Sequence, residues 1–193
     1  MIGLMFLLAF GIYLALSVWI VKATVRWARK NGRGVKRWGF AAAFFMYLLV
    51  FWDHIPTLLL HKYYCATKAG FWVYKTPEQW KKENPGVAET LTWMNIPRQY
   101  SSPNIVRGFL LNERFVWIYQ TKEVPVLPIQ INTESVVDTK TSEIMLKRTS
   151  VSAGYSGGME LLRFWTKLES CTSGIKDFGR LLNSYHHVGR EIK

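Results

Sequence analysis

The side chains best placed for chemistry in this chain are Asp53, His54 and His61. His61 follows His54 by seven residues, two helical turns along one face. An acid and two imidazoles at a membrane boundary could relay protons or form part of a metal site. Polar residues that merely end an apolar span look the same and are the commoner case. His61 and Cys65 stand four apart, which suits joint metal ligation. Two ligands do not complete a site, and Cys65 has a prospective disulfide partner in Cys171, so neither a metal nor a cofactor is expected. The adjacent pair His186-His187 lacks helical ligand spacing. Gly154 to Gly158 lacks the Gly-Lys-Ser/Thr ending of a phosphate loop.

The elements that must position these residues follow from charge and hydropathy. Residues 22–37 hold Lys22, Arg26, Arg29, Lys30, Arg33, Lys36 and Arg37 and no acid. Uncharged apolar runs lie on both sides, Met1 to Val21 and Trp38 to Trp52. At about 1.5 Å per residue the first run reaches roughly 30 Å, the thickness of a bilayer core. A cleaved signal peptide would carry its basic residues before the apolar run; here they follow it, which favours a retained helix. A short loop of charge +7 sets orientation, so 22–37 is expected in the cytoplasm, facing lipid headgroups, with both flanks outside. The second run is short for a crossing. Asp53 and Pro56 predict a break or kink at 53–56, with a bent helix continuing to about Lys68. That helix either lies along the membrane surface from Asp53 or carries the span on to Leu60.

The net charge of +12 is mostly topological: +7 in the loop, −1 at Asp53 and +6 over 61–193. Nothing in the mildly basic remainder concentrates Lys and Arg as a nucleic-acid surface would, so no nucleic-acid partner is expected. Two cysteines in an oxidising compartment usually pair, which predicts a Cys65–Cys171 bond.

Beyond the membrane the pattern is mixed. A strand is expected near 71–75. A short helix follows, with Thr76 as N-cap, Pro77 at N1 and Gln79 closing a capping box. Residues 87–104 read as loop. Hairpins are expected around Asn112-Glu113 and around 139–142, and RFVWIYQT, 114–121, reads as a central strand because both faces are apolar. Pro125 and Pro128 predict that 123–131 lies at a sheet edge or in a crossing segment. Leu161, Leu162, Trp165 and Leu168 suggest an amphipathic helix over 159–170, and a last helix is expected over about 175–185.

The run WDHIPTLLLHKYYCATKAGFWVYKT, residues 52–76, resembles a segment of small uncharacterised proteobacterial two-span membrane proteins. In that pattern a Trp-Asp-x-x-Pro span end precedes a Cys, a Gly and a Val-Tyr-Lys-Thr strand. The resemblance implies compartment and architecture and carries no activity.

The expected fold is a membrane α-helical hairpin over 1–60 plus an α+β extracytoplasmic domain with an antiparallel sheet over 61–193. The expected setting is the bacterial inner membrane, with the N-terminus and the C-terminal domain periplasmic. The composition favours a non-enzymatic protein whose periplasmic domain binds another membrane or envelope protein, as a complex subunit or an exclusion or immunity factor. The alternative is a membrane-surface enzyme or accessory subunit using Asp53, His54 and His61. A pore-forming lysis protein fits less well, since such hairpins rarely need a folded domain of this size.

Overall fold

The computed structural model describes residues 2–102 and 105–191. Helix α1, Ile2–Lys30, and helix α2, Val35–Phe51, pack side by side through a tight turn at 31–34. The Tyr13 hydroxyl donates to the Met46 carbonyl, and the Trp27 and Trp38 rings meet edge to face at 5.4 Å. Arg33 lies 5.5 and 5.6 Å from the centres of those two rings. Among the described residues one helix, over Leu7–Lys30, is long and apolar enough to cross a membrane. Helix α2 meets that test only together with α3, His54–Thr67, across a bend of 68°. The break falls at 52–53. Pro56 then sits in the first turn of α3, where its missing N–H would have had no helical partner anyway.

The remainder is α+β. Strand β1, Gly70–Val73, leads to α4, Pro77–Glu83, and to the single turn α5, Val87–Thr90. Strands β2, Thr92–Ser102, β3, Ile105–Asn112, β4, Phe115–Glu123, β5, Ile129–Asp138, and β6, Ile144–Ala153, form a meander. A helical turn α6, Met159–Leu162, and a 3-10 turn, Phe164–Thr166, precede β7, Leu168–Cys171. Helix α7, Ile175–His186, and β8, Arg190–Glu191, complete the described chain. The eight strands among the described residues form one sheet in the order β1-β6-β5-β4-β3-β2-β8, with β7 also on β6. All pairings are antiparallel except β2 with β8.

Alternation along the strands gives the sheet two covered faces. On one, α4 and α7 bury Trp80, Phe178 and Tyr185 against Phe115, Val136 and Leu146. On the other, Leu60, Tyr64 and Cys65 of α3 pack on Ile129, Val151 and Ala153. The stalk helix is thus one layer of the domain, and it runs unbroken through residue 60. The capping box at Thr76 and Gln79 forms as the sequence predicts, with the Thr76 hydroxyl accepting from the Gln79 amide. Gly174 holds φ at 63°, and any Cβ there would run into the Phe71 ring, so a glycine is required where α7 starts.

Three local expectations fail. Residues 87–102 are not loop: β2 occupies most of them, and Pro97 falls in the interval between Trp93 and Arg98 where the register with β3 shifts. Residues 103 and 104 lie outside the described residues. The segment 123–131 is neither edge nor crossing. Its prolines sit in the β4–β5 connection, closed by the Val124 amide donating to the Ile129 carbonyl at 2.9 Å, so both strands stay interior. The helix expected over 159–170 is broken into a turn, a 3-10 turn and a strand. Pairing of Cys171 with Val151 and Leu168 with Ala153 outcompetes the helical periodicity.

Under α4, a buried ion pair ties two turns together. Asp138, fully buried, accepts from Arg114 Nε at 2.6 Å and from Trp80 Nε1 at 3.0 Å. Burial pushes the Asp138 carboxyl up. The Arg114 hydrogen bond, the Lys140 amide, Trp80 and the Thr141 amide outweigh it and hold the group below its ordinary value. A depressed carboxylate contributes stability above its unfolded pKa and loses it as pH falls through the folded one. The contribution should therefore be constant from neutrality down to about pH 4 and decline below that. Asp138→Asn should cost about 3–5 kcal/mol at pH 7, because Arg114 is left buried and unpaired. The difference from the parent should shrink below pH 4, read by denaturant unfolding in detergent. A difference independent of pH would exclude the charge as its cause.

Candidate functional site

Asp53, just after α2, faces the domain. Asp53 has no solvent exposure. Its Oδ2 accepts from Arg163 Nη1 at 2.6 Å and from the Tyr155 hydroxyl at 3.3 Å, and its Oδ1 accepts from Trp165 Nε1 at 3.1 Å. Arg163 also donates to the Tyr155 hydroxyl at 3.1 Å and lies over that ring, 5.1 Å from its centre. The Trp165 ring meets Phe51 at 4.5 Å, edge to face. Buried Thr166 fixes the loop by donating to the Arg163 carbonyl at 2.8 Å. Desolvation pulls the Arg163 guanidinium down, but the Asp53 hydrogen bond and charge outweigh it and hold it above its ordinary value. An isolated buried carboxylate is costly; this one has a cation and two neutral donors.

Asp53, His54 and His61 do not converge on one point. His54 Nδ1 hydrogen-bonds the Tyr47 hydroxyl at 2.7 Å, back along α2. His61, 7% exposed, sets its ring nitrogens 3.6 and 3.7 Å from Cys65 Sγ. Between them Thr57 is buried, and its hydroxyl has no hydrogen-bond partner. Asp53, Thr57 and His61 form a buried polar stripe along the domain-facing side of α3.

Cys65 and Cys171 are joined by a disulfide, with Cα atoms 5.8 Å apart. The potential ligand atoms of His61, Cys65 and Cys171 lie within 4.8 Å of one another. Metals take thiolates, and neither sulfur is one while the bond stands. An ion pair at one end of α3 and a covalent bond near the other clamp that helix to the sheet. The basic residues 22–37 are divided between the end of α1, the turn and the start of α2, well away in sequence from this clamp.

Tyr155, Arg163 and Trp165 escaped sequence reading. Arg163 looked like the solvent face of a helix, and the one hint was an acid with apolar flanks and no local cation.

Two outcomes test the clamp. Arg163→Met strands a buried carboxylate, whereas Asp53→Asn leaves a partly exposed guanidinium that can turn to water. Thermal unfolding in detergent should show the larger loss for Arg163→Met, about 3 kcal/mol; the reverse order would refute the burial argument. The disulfide closes a sequence separation of 106 residues. Cys65→Ser with Cys171→Ser should lower stability by up to about 4–5 kcal/mol on chain entropy. Alkylation and mass spectrometry of protein from its own compartment should find no free thiol.

Comparisons with protein-family models, with curated proteins and with solved structures find no match to this chain, so what the clamp does is read from its own geometry.

Proposed function

We propose that this is a non-enzymatic, two-span protein of the bacterial inner membrane that holds a periplasmic domain in a fixed pose for another membrane or envelope protein. The observation that carries the reading is the clamp. A domain that only needs tethering can hang on a flexible linker. Here the residue that ends α2, the helix that follows it and the sheet are locked by Asp53–Arg163, by Trp165 on Phe51 and by Cys65–Cys171. A fixed orientation matters when the partner is set in the same membrane. The basic cluster at the α1–α2 turn supports a cytoplasmic loop, the disulfide supports a non-reducing compartment for the domain, and the resemblance of 52–76 supports the two-span plan. The enzyme alternative draws no support from the divergent partners of Asp53, His54 and His61.

Reporter fusions after Lys193 should be active as periplasmic and silent as cytoplasmic types, with the opposite pattern at the 31–34 turn. Purified in mild detergent from its own host, the protein should carry a stoichiometric protein partner. The Arg163→Met variant should insert normally and lose that partner. A protein that purifies alone with a bound cofactor, or a variant that keeps the partner undiminished, would overturn the reading.

A further inference from the structure

The outward side of α3 carries an apolar stripe, whereas its domain-facing side combines the buried polar row with Leu60, Tyr64 and Cys65. Trp52, just before the helix, and Ile55, Leu59 and Tyr63 recur at spacings of three and four and are 40, 39, 60 and 58% exposed. Asp53, Thr57 and His61 lie behind them. Phe164, 62% exposed, stands next to Trp165, which touches Phe51 at the same junction. The helix carries no acid, and its lysine, Lys62, is exposed, as is Lys68 just after it.

We infer that this face of α3 docks into the headgroup–acyl boundary of the leaflet on the domain's side, so that the domain lies against the bilayer rather than standing off it. The inference rests on the proposed crossing by α2. Three observations select lipid as the occupant. First, the face continues directly from α2, and the 68° bend turns α3 most of the way into the membrane plane. Second, α1 and α2 are in register with Tyr13 at Met46. At ~1.5 Å per residue, Trp52 is then about level with Leu7, and Leu4 and Met5, each 73% exposed, rise roughly 3–5 Å higher. Hydrocarbon that covers those residues reaches the level of α3, whose side chains extend about 5 Å from its axis. Third, Trp, Tyr and Lys on an apolar stripe are the residues that settle at a lipid–water boundary, the rings at headgroup level and the lysine stems reaching anionic phosphates.

Nitroxide labels on Ile55→Cys and Leu59→Cys, with the native disulfide intact, test this in the full chain. The protein is placed in nanodiscs of phosphatidylethanolamine and phosphatidylglycerol. Phe45→Cys on α2 reports the crossing, and Lys140→Cys at the β5–β6 turn reports water. The expected result is an oxygen-over-nickel collision ratio at 55 and 59 shifted toward that at 45, at a depth of about 5–10 Å. Labels at 55 and 59 as nickel-accessible as 140, with 45 lipid-exposed, would overturn the docking and leave the crossing standing. Labels at 55 and 59 shielded from both relaxants would overturn it in favour of a protein cover. A nickel-accessible label at 45 would overturn the crossing, and the docking with it.

Discussion

A buried carboxyl group, placed where the apolar helix α2 ends, constrains everything around it. A buried acid in that position needs a cation and further donors brought to it. Those come from Arg163, Tyr155 and Trp165, all from one loop more than a hundred residues later. That requirement fixes the loop after β6, and the loop in turn fixes where β7 can pair. Arg163, between the two helical turns over 159–166, and Trp165, in the second, are both committed to this point. The buried pair is weak as a source of net stability, since desolvation offsets much of its attraction. Its value is geometric: it admits one relation between the end of α2 and the sheet.

The disulfide acts on the same interface from the other end of α3. Cys171 is held in β7 by its pairing with Val151, so the bond joins α3 to a strand of the sheet rather than to a loose terminus. Between the two anchors, Leu60 and Tyr64 of α3 cover Ile129, Val151 and Ala153. The opposite face is closed by an independent set of contacts. There Asp138 gathers Arg114 and Trp80, while buried Tyr185 donates to the Lys75 carbonyl at 2.8 Å, its phenol pushed up by burial. The sheet is therefore a middle layer, and α3 belongs to its packing as α7 does.

How much of this was legible depended on the range of the interaction. The Thr76 capping box, the break before Pro56 and the central position of β4 were read correctly, because each is set by residues within a few positions. The prolines 97, 125 and 128 misled. A missing N–H disfavours an interior ladder position only if the residue sits in the ladder, and these fall in a register interruption and a connection. The stretch 159–170 misled for the opposite reason. Its apolar spacing suits a helix, but an edge of β6 was open to it, and a disulfide and a buried acid were waiting for Cys171 and Arg163.

The sequence by itself determined the polarity of the chain: an apolar stretch at the start, a basic cluster, a second apolar stretch ending at an acid, and a mixed α+β remainder holding both cysteines. Hydropathy and charge are sums over neighbours, so they survive without coordinates. Only the tertiary structure decided what Asp53 is for. Its partners lie about 110 residues away, in a segment whose local pattern pointed elsewhere, and no spacing rule links them. A buried charge selects its partner by proximity in the folded state, and that proximity exists only once the sheet has brought β6, the following loop and β7 against α3.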